Sequence, residues 1–285
     1  MITTLRSPVT HDAAAAARIC YEAFKTISQR HGFPPDFPAP EIARGLFDFM
    51  LSRADIHGVV AEREGRVIGS NFLWEGSGVA GVGPITVEPD EQNSQVGRRL
   101  MEAVLQRARE KGISAVRLVQ AAYHARSLSL YTKLGFVSRE PLVVLQGPRL
   151  EAAVSGYIVR AAGPDDLAAM DDVCHRVHGH TRHGEAEGAI ARREATVVEH
   201  AGNIVGYTTG LGFFGHTVGH NEEALKALIA AAPVFGGVGF LLPIRQASLF
   251  RWCLDRGLKV VQPMTLMSIG PYNEPQGAFL PSILY

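Results

Sequence analysis

Apolar positions in the first half of the chain switch repeatedly between the spacing of a helix and that of a strand. Residues 13–24 and 41–52 keep apolar side chains at helical intervals, and Thr10 or Asp12 can cap the first of them. Between them Pro34, Pro35, Pro38 and Pro40 interrupt residues 33–40, which cannot be helical. Residues 57–62 and 66–74 take the period of a sheet, and Arg63-Glu64-Gly65 turns one into the other. A further strand is expected over 81–87, broken at Pro84. Residues 94–111 then place Val96, Leu100, Val104, Leu105 and Ala108 on one side of a helix that Gly112 ends. A strand over 115–121, a helix over 127–134 closed by Gly135, and a strand over 136–145 complete the half.

The second half repeats this plan less clearly. Strands are expected over 157–160, 196–200, 204–211, 239–243 and 258–269, and helices over 164–177, 221–231 and 247–255. The hairpin around Ala201-Gly202-Asn203 matches the one around Arg63–Gly65. The expected class is α+β, in two similar domains, 1–147 and 156–285, joined by a linker over 148–155.

Composition narrows the function. With 46% hydrophobic and 20% charged residues, the chain can bury a sizeable core. The 28 basic and 28 acidic side chains cancel, so no long-range field draws nucleic acid or an anionic membrane. Cys20, Cys174 and Cys253 are far apart, which argues against a disulfide framework and a cysteine zinc site. The first residues lack a basic start followed by an apolar core, and no apolar run approaches a membrane span. A cytoplasmic protein with neither nucleic-acid nor membrane partners is expected. His175, His178, His180 and His183 suggest a metal site, but Gly179 and Gly184 read as a mobile polar loop, and no metal is expected.

The informative stretch runs from Ile85 to Leu100. A strand ends at Val87, a polar loop follows, and a helix starts near Gln95. Helix N-termini offer free N–H groups and a positive dipole end, which suit phosphate. Gly97 permits close approach, and Arg98 and Arg99 add charge. Strand, loop and basic helix also describe connections that bind nothing. The segment from Tyr123 to Phe136 adds an amphipathic helix ended by glycine.

The two segments together resemble the GNAT superfamily of acetyltransferases over about residues 3–146. Its Q/R-x-x-G-x-G/A pattern, which cradles the coenzyme A pyrophosphate, falls on Gln92, Asn93, Ser94, Gln95, Val96 and Gly97, with Arg98 beside it. Its N-x-x-A-x-x-L-Y-x-x-x-G-F segment falls on residues 124–136, where His124 stands for the Asn and Tyr131 is kept. The resemblance implies two such domains, each with a mixed, mostly antiparallel sheet, flanking helices and a splayed strand pair. It implies acetyl-CoA as co-substrate, with pantetheine along the backbone of Ile85, Thr86 and Val87 and contacts from His124 and Ser127. An amine attacks the thioester directly, backbone N–H groups near Val87 polarise the carbonyl, and Tyr131 protonates the leaving thiolate. Gln95 departs from the pattern by putting a side chain where the family usually has glycine. Glu75 or Glu88 could deprotonate the amine, although both also read as surface carboxylates.

The second half lacks the phosphate pattern. Glu222 and Glu223 open its helix, and Cys253 stands opposite Tyr131 when Gly257 is aligned with Gly135. It reads as a degenerate copy used for packing, substrate shaping or dimerisation. The apolar segment 277–285 is expected to dock, with the Tyr285 carboxylate reaching the first cleft. The resulting expectation is N-acetylation of a primary amine on a small molecule. Two alternatives stand beside it: an acyl-CoA sensor or scaffold without turnover, and acetylation of a protein lysine or N-terminus. A homodimer is also left open.

Overall fold

The computed structural model describes residues 2–76, 78–92 and 94–284. The first half runs β1 (Thr4–Arg6), α1 (Asp12–Arg30), α2 (Pro40–Leu51), β2 (Ile56–Arg63), β3 (Arg66–Trp74), β4 (Val79–Val82), β5 (Thr86–Val87), α3 (Val96–Glu110), β6 (Ala115–Ala121), α4 (Ala125–Lys133) and β7 (Val137–Gln146). The second continues with β8 (Tyr157–Ala161), α5 (Leu167–His178), α6 (His183–Ala191), β9 (Thr196–His200), β10 (Asn203–Thr208), β11 (Thr217–Gly219), α7 (Glu222–Ala231), β12 (Phe240–Pro243), α8 (Ala247–Asp255), β13 (Lys259–Ile269) and β14 (Ala278–Leu280). The fold is α+β, with mixed, mostly antiparallel sheets flanked by helices.

Local chemistry explains several elements. The expected stripe on α3 is buried, with Met101 added, and it packs on Ile68, Leu118 and Phe136. Pro40 occupies the first turn of α2, where a missing N–H costs nothing. Asn221 caps α7 by accepting the Ala224 N–H at 2.9 Å.

The two halves do not keep their own strands. The larger sheet has the order β1-β2-β3-β4-β6-β13-β7-β12, with β5 paired to β3. β13 of the second half enters between β6 and β7 of the first, and β7 passes on to pair with β12. Leu142, Val144, Leu241, Met264 and Leu266 share one apolar cluster, so this exchange buries a core made by both halves. The smaller sheet has the order β14-β11-β10-β9-β8.

Three expectations change. The histidine-rich stretch is a loop only over residues 179–182, which hold His180: α5 runs through His178, and α6 starts at His183 and buries Ala186 and Ala189. The strand expected over 81–87 is two strands, β4 and β5, on either side of a break at Gly83-Pro84. β11 and β14 arise where no strand was expected. Among the described residues, no helix is long and apolar enough to cross a membrane.

Candidate active site

The first half opens at a parallel pair. β4 runs beside β6 from Val79↔Ala115 to Gly81↔Arg117. Beyond Val82 the chain leaves β6, and β5 pairs with β3 through Ser70↔Thr86 and Gly69↔Val87. The resulting wedge holds a cleft of about 420 Å³, with residues 82–87 on one wall and residues 118–121 on the other. The start of α3 and the start of α4 both border it.

Ile85, Thr86, Val87, Gln92, Gln95, Gly97, Arg98, His124, Ser127 and Tyr131 all line this cleft. Other expected residues do not. Val96 is buried in the core under α3, and the exposed Ser94 hydroxyl donates to the Glu91 carbonyl. Asn93 and Tyr285 lie outside the described residues. Glu75 borders neither large cavity and accepts Arg107 Nη2 at 2.8 Å and Nε at 3.1 Å. That bond and the Arg107 charge hold its carboxyl below the usual range. Glu88 is likewise engaged, by Arg18.

Gln95 precedes α3 with φ 63°, in the left-handed region that glycine favours. The chain thus keeps the turn its pattern demands without the usual residue. First-turn amides of α3 have no acceptor within the helix. A Cβ added at Gly97 would meet only Val87 Cγ2 at 3.8 Å and Leu130 Cδ2 at 3.9 Å. The space before Gly97 is therefore open to a ligand, and the fold itself does not require glycine there.

His124 precedes α4 and places Nδ1 2.8 Å from Ser127 Oγ. Its Nε2 is buried and meets no hydrogen-bond partner among the described residues. Burial, then the Arg126 charge, pull its pKa down to about 4, so the ring is neutral at pH 7. Tyr131 is buried against Phe136, and burial pushes its pKa up to about 12 despite a hydrogen bond with Ser127. A phenol in that state carries its proton at neutral pH.

Sequence reading missed several residues of this cleft. Asp36, from the proline-rich run, lines it and accepts Gln262 Nε2 at 2.9 Å. Burial raises its pKa to about 6, against the lowering effect of that bond. Gln262 belongs to exchanged β13, and the Tyr123 hydroxyl donates to its Oε1 at 3.2 Å. Arg126 reaches the Gln92 side-chain oxygen at the phosphate end. Gln120 lines the wedge with both amide atoms buried and unpartnered among the described residues. An acidic residue between Pro35 and Phe37, in a proline-rich run that cannot be helical, was the one signal for Asp36. Gln262 had none, because only the strand exchange brings it here. Among the described residues no three His, Cys, Asp or Glu side chains are grouped to hold a metal ion.

A sheet opened at a parallel pair, with a helix N-terminus at one end and a buried protonated phenol within, defines an acyltransferase architecture. The comparisons agree: residues 21–136 match the acetyltransferase (GNAT) family. An "IAA acetyltransferase" of Azospirillum brasilense is 38% identical over 106 residues, which are 36% of this chain and 69% of that protein. A solved structure from Pyrococcus horikoshii has TM-score 0.74 at 17% identity, covering 99% of this chain and 92% of that one. A tandem GNAT protein from the clavulanic acid biosynthesis pathway has TM-score 0.58 at 15% identity, covering 95% and 100%. The chain belongs to the GNAT acetyltransferase family and is an acyltransferase.

Proposed function

We propose that this chain transfers an acetyl group from acetyl-CoA to a primary amine of a small molecule, in the cleft of residues 1–147. The observation that carries the reading is the wedge between β5 and β6, which ends at the open face of Gly97. The residues fit the coenzyme. His124 Nε2, unpartnered among the described residues, suits an amide of the pantetheine arm, and the α3 first-turn amides with Arg98 and Arg126 suit pyrophosphate. Bound acetyl-CoA supplies the activated acetyl thioester. Tyr131 holds a proton for the departing sulfur, whose thiol has a pKa of about 8.5. Asp36 is the base, ionised above about pH 6 and held by Gln262. The relative's printed name supports a small-molecule acceptor. The three free, buried cysteines support a cytoplasmic setting. Residues 156–285 serve as a non-catalytic partner domain.

Calorimetric titration of acetyl-CoA into the protein tests the reading. One equivalent, displaced by coenzyme A, together with turnover of amines, is the expected result. Two equivalents would assign a working site to the second half. Binding without turnover of any amine would leave a sensor.

A further inference from the structure

A second, larger cavity of about 970 Å³ lies between the two halves. Trp74, Val79 and Gly81 of the first half face residues 208–215 and 231–234 of the second across it. It meets the acetyl-CoA cleft at four shared residues: Leu46, Phe213, Phe214 and Leu284. The Leu284 carbonyl lies so close to β4 that a Cβ on Gly81 would stand 2.0 Å from it. Ile283 N–H is fixed by the Phe213 carbonyl at 2.8 Å. The tail therefore forms part of a throat between the two chambers.

The walls describe a ligand. Phe49, Phe214 and Val234 are three of the exposed large hydrophobic residues of the chain, and all three border this cavity. Exposed apolar side chains gathered at one concavity mark a binding surface rather than scattered chance. The charged residues of the wall are already matched: Arg53 with Asp55 at 2.6 Å, Arg160 with Asp166 and Glu199 at 2.7 Å each, Arg192 with Glu194 at 2.8 Å, and Glu185 with Arg182 at 2.6 Å. They neutralise one another and leave apolar surface to do the recognition. A cavity near the upper end of the roughly 300–1,000 Å³ range of small-molecule sites is oversized for a single amino acid.

We infer that the cavity between the halves is the acceptor site, and that the acceptor is a primary amine on a slim apolar arm attached to a bulky, largely uncharged apolar body. This rests on the transfer reading above. The body occupies the large chamber, and the arm passes Leu46, Phe213, Phe214 and Leu284 to bring the amine to the thioester. The second half is thereby a specificity element, since it supplies three of the four throat residues.

Dansylcadaverine, a primary amine on a pentyl arm from an aromatic body, probes the site directly. Its fluorescence should rise on binding without acetyl-CoA, and Val234→Glu should weaken that binding about tenfold or more. Val234 is 68% exposed, so the change is tolerated by the fold. The same variant should leave the acetyl-CoA affinity within about twofold. In turnover, kcat/KM for dansylcadaverine should exceed that for n-pentylamine about tenfold, and Phe214→Ala should narrow that ratio. Equal kcat/KM for the two amines, or binding indifferent to Val234→Glu, overturns the inference. Absent acetyl-CoA binding with intact, Val234-sensitive dansylcadaverine binding would instead remove the transfer reading and keep the cavity as an amine site.

Discussion

The two halves carry the same wedge in opposite conditions. In the first, β4 and β6 part and leave a cleft bordered by α3 and α4. In the second, Gly212 and Gly236 form a parallel bridge, and beyond it β14 lies antiparallel on β11, with Thr217↔Leu280, Val218↔Phe279 and Gly219↔Ala278 in register. His124 and Gln246 hold the same place, each just before the helix that follows the second wedge strand. His124 Nε2 has no partner among the described residues. Gln246 instead donates to the Phe279 carbonyl at 2.7 Å and accepts the Phe279 N–H at 3.1 Å. Where Tyr131 borders the open cleft, Cys253 is fully buried in an apolar cluster. The open copy leaves polar atoms waiting for a ligand, and the filled copy satisfies them with its own chain. The comparison teaches that the same opening can be left as a cleft in one half and closed by the chain's own β14 in the other.

The sharpest way to break the comparison is Tyr131→Phe. It should lower kcat by about 10²-fold or more with acetyl-CoA affinity nearly unchanged, as steady-state kinetics beside calorimetry would show. Retained kcat would strip the open copy of its proton donor.

Asp36→Asn should lower kcat/KM by about 10²-fold and remove the rise in activity expected of the parent as pH passes about 6. It should also change stability, with a definite sign. The folded pKa is raised from 3.8 to about 6, so the protonated form favours folding. That advantage is full below pH 3.8 and is lost as pH rises through about 6. Above that pH the parent carries a buried charge that the amide lacks. The Asp36→Asn variant should then be the more stable protein by up to about 3 kcal/mol, and the two should converge in acid. Urea unfolding at pH 4 and pH 8 reads the difference.

On the filled side, Gln246→Ala leaves the buried Phe279 N–H and carbonyl without their side-chain partners. It should cost about 2 kcal/mol in chemical denaturation and create no second acetyl-CoA site. A second equivalent of bound coenzyme would mean that β14 is a displaceable plug. The smallest effect is expected at Gly97→Ala. The fold gains helix propensity worth up to about 1 kcal/mol, because the added Cβ finds ordinary contacts. Acetyl-CoA binding should nevertheless weaken about tenfold, because that methyl stands where phosphate approaches. Higher stability with unchanged affinity would move the pyrophosphate elsewhere.

Much of this was legible in the chain, and the failures share a cause. The stripe on α3, the hairpin of β2 and β3, and the positive φ at Gly65, Gly112 and Gly135 all follow from local periodicity and turn chemistry. The residues of the cleft wall from Ile85 to Val87 and from His124 to Tyr131 were found because they sit in two compact segments. α6 was missed because Gly184 and Gly188 weaken its helix signal and its buried contacts are the alanines 186 and 189. β14 offers only three residues, too few to show a period. The pairing of β13 with β6 and β7 is a long-range choice, since an apolar strand such as β7 suits either neighbour equally well. Asp36 and Gln262 meet only after that choice is made.

The exchange of β7 and β13 also sets the order in which this protein comes into being. As the ribosome extends the chain, the free edge of β6 waits until Met264 is made and can find Ala121. The carboxylate at Asp36 waits for Gln262 in the same way. A nascent chain halted after β7 would therefore carry the whole segment from Ile85 to Leu100 and still lack the strand that seats Gln262 on Asp36. The sheet of the first half is thus completed only once the second half has been made.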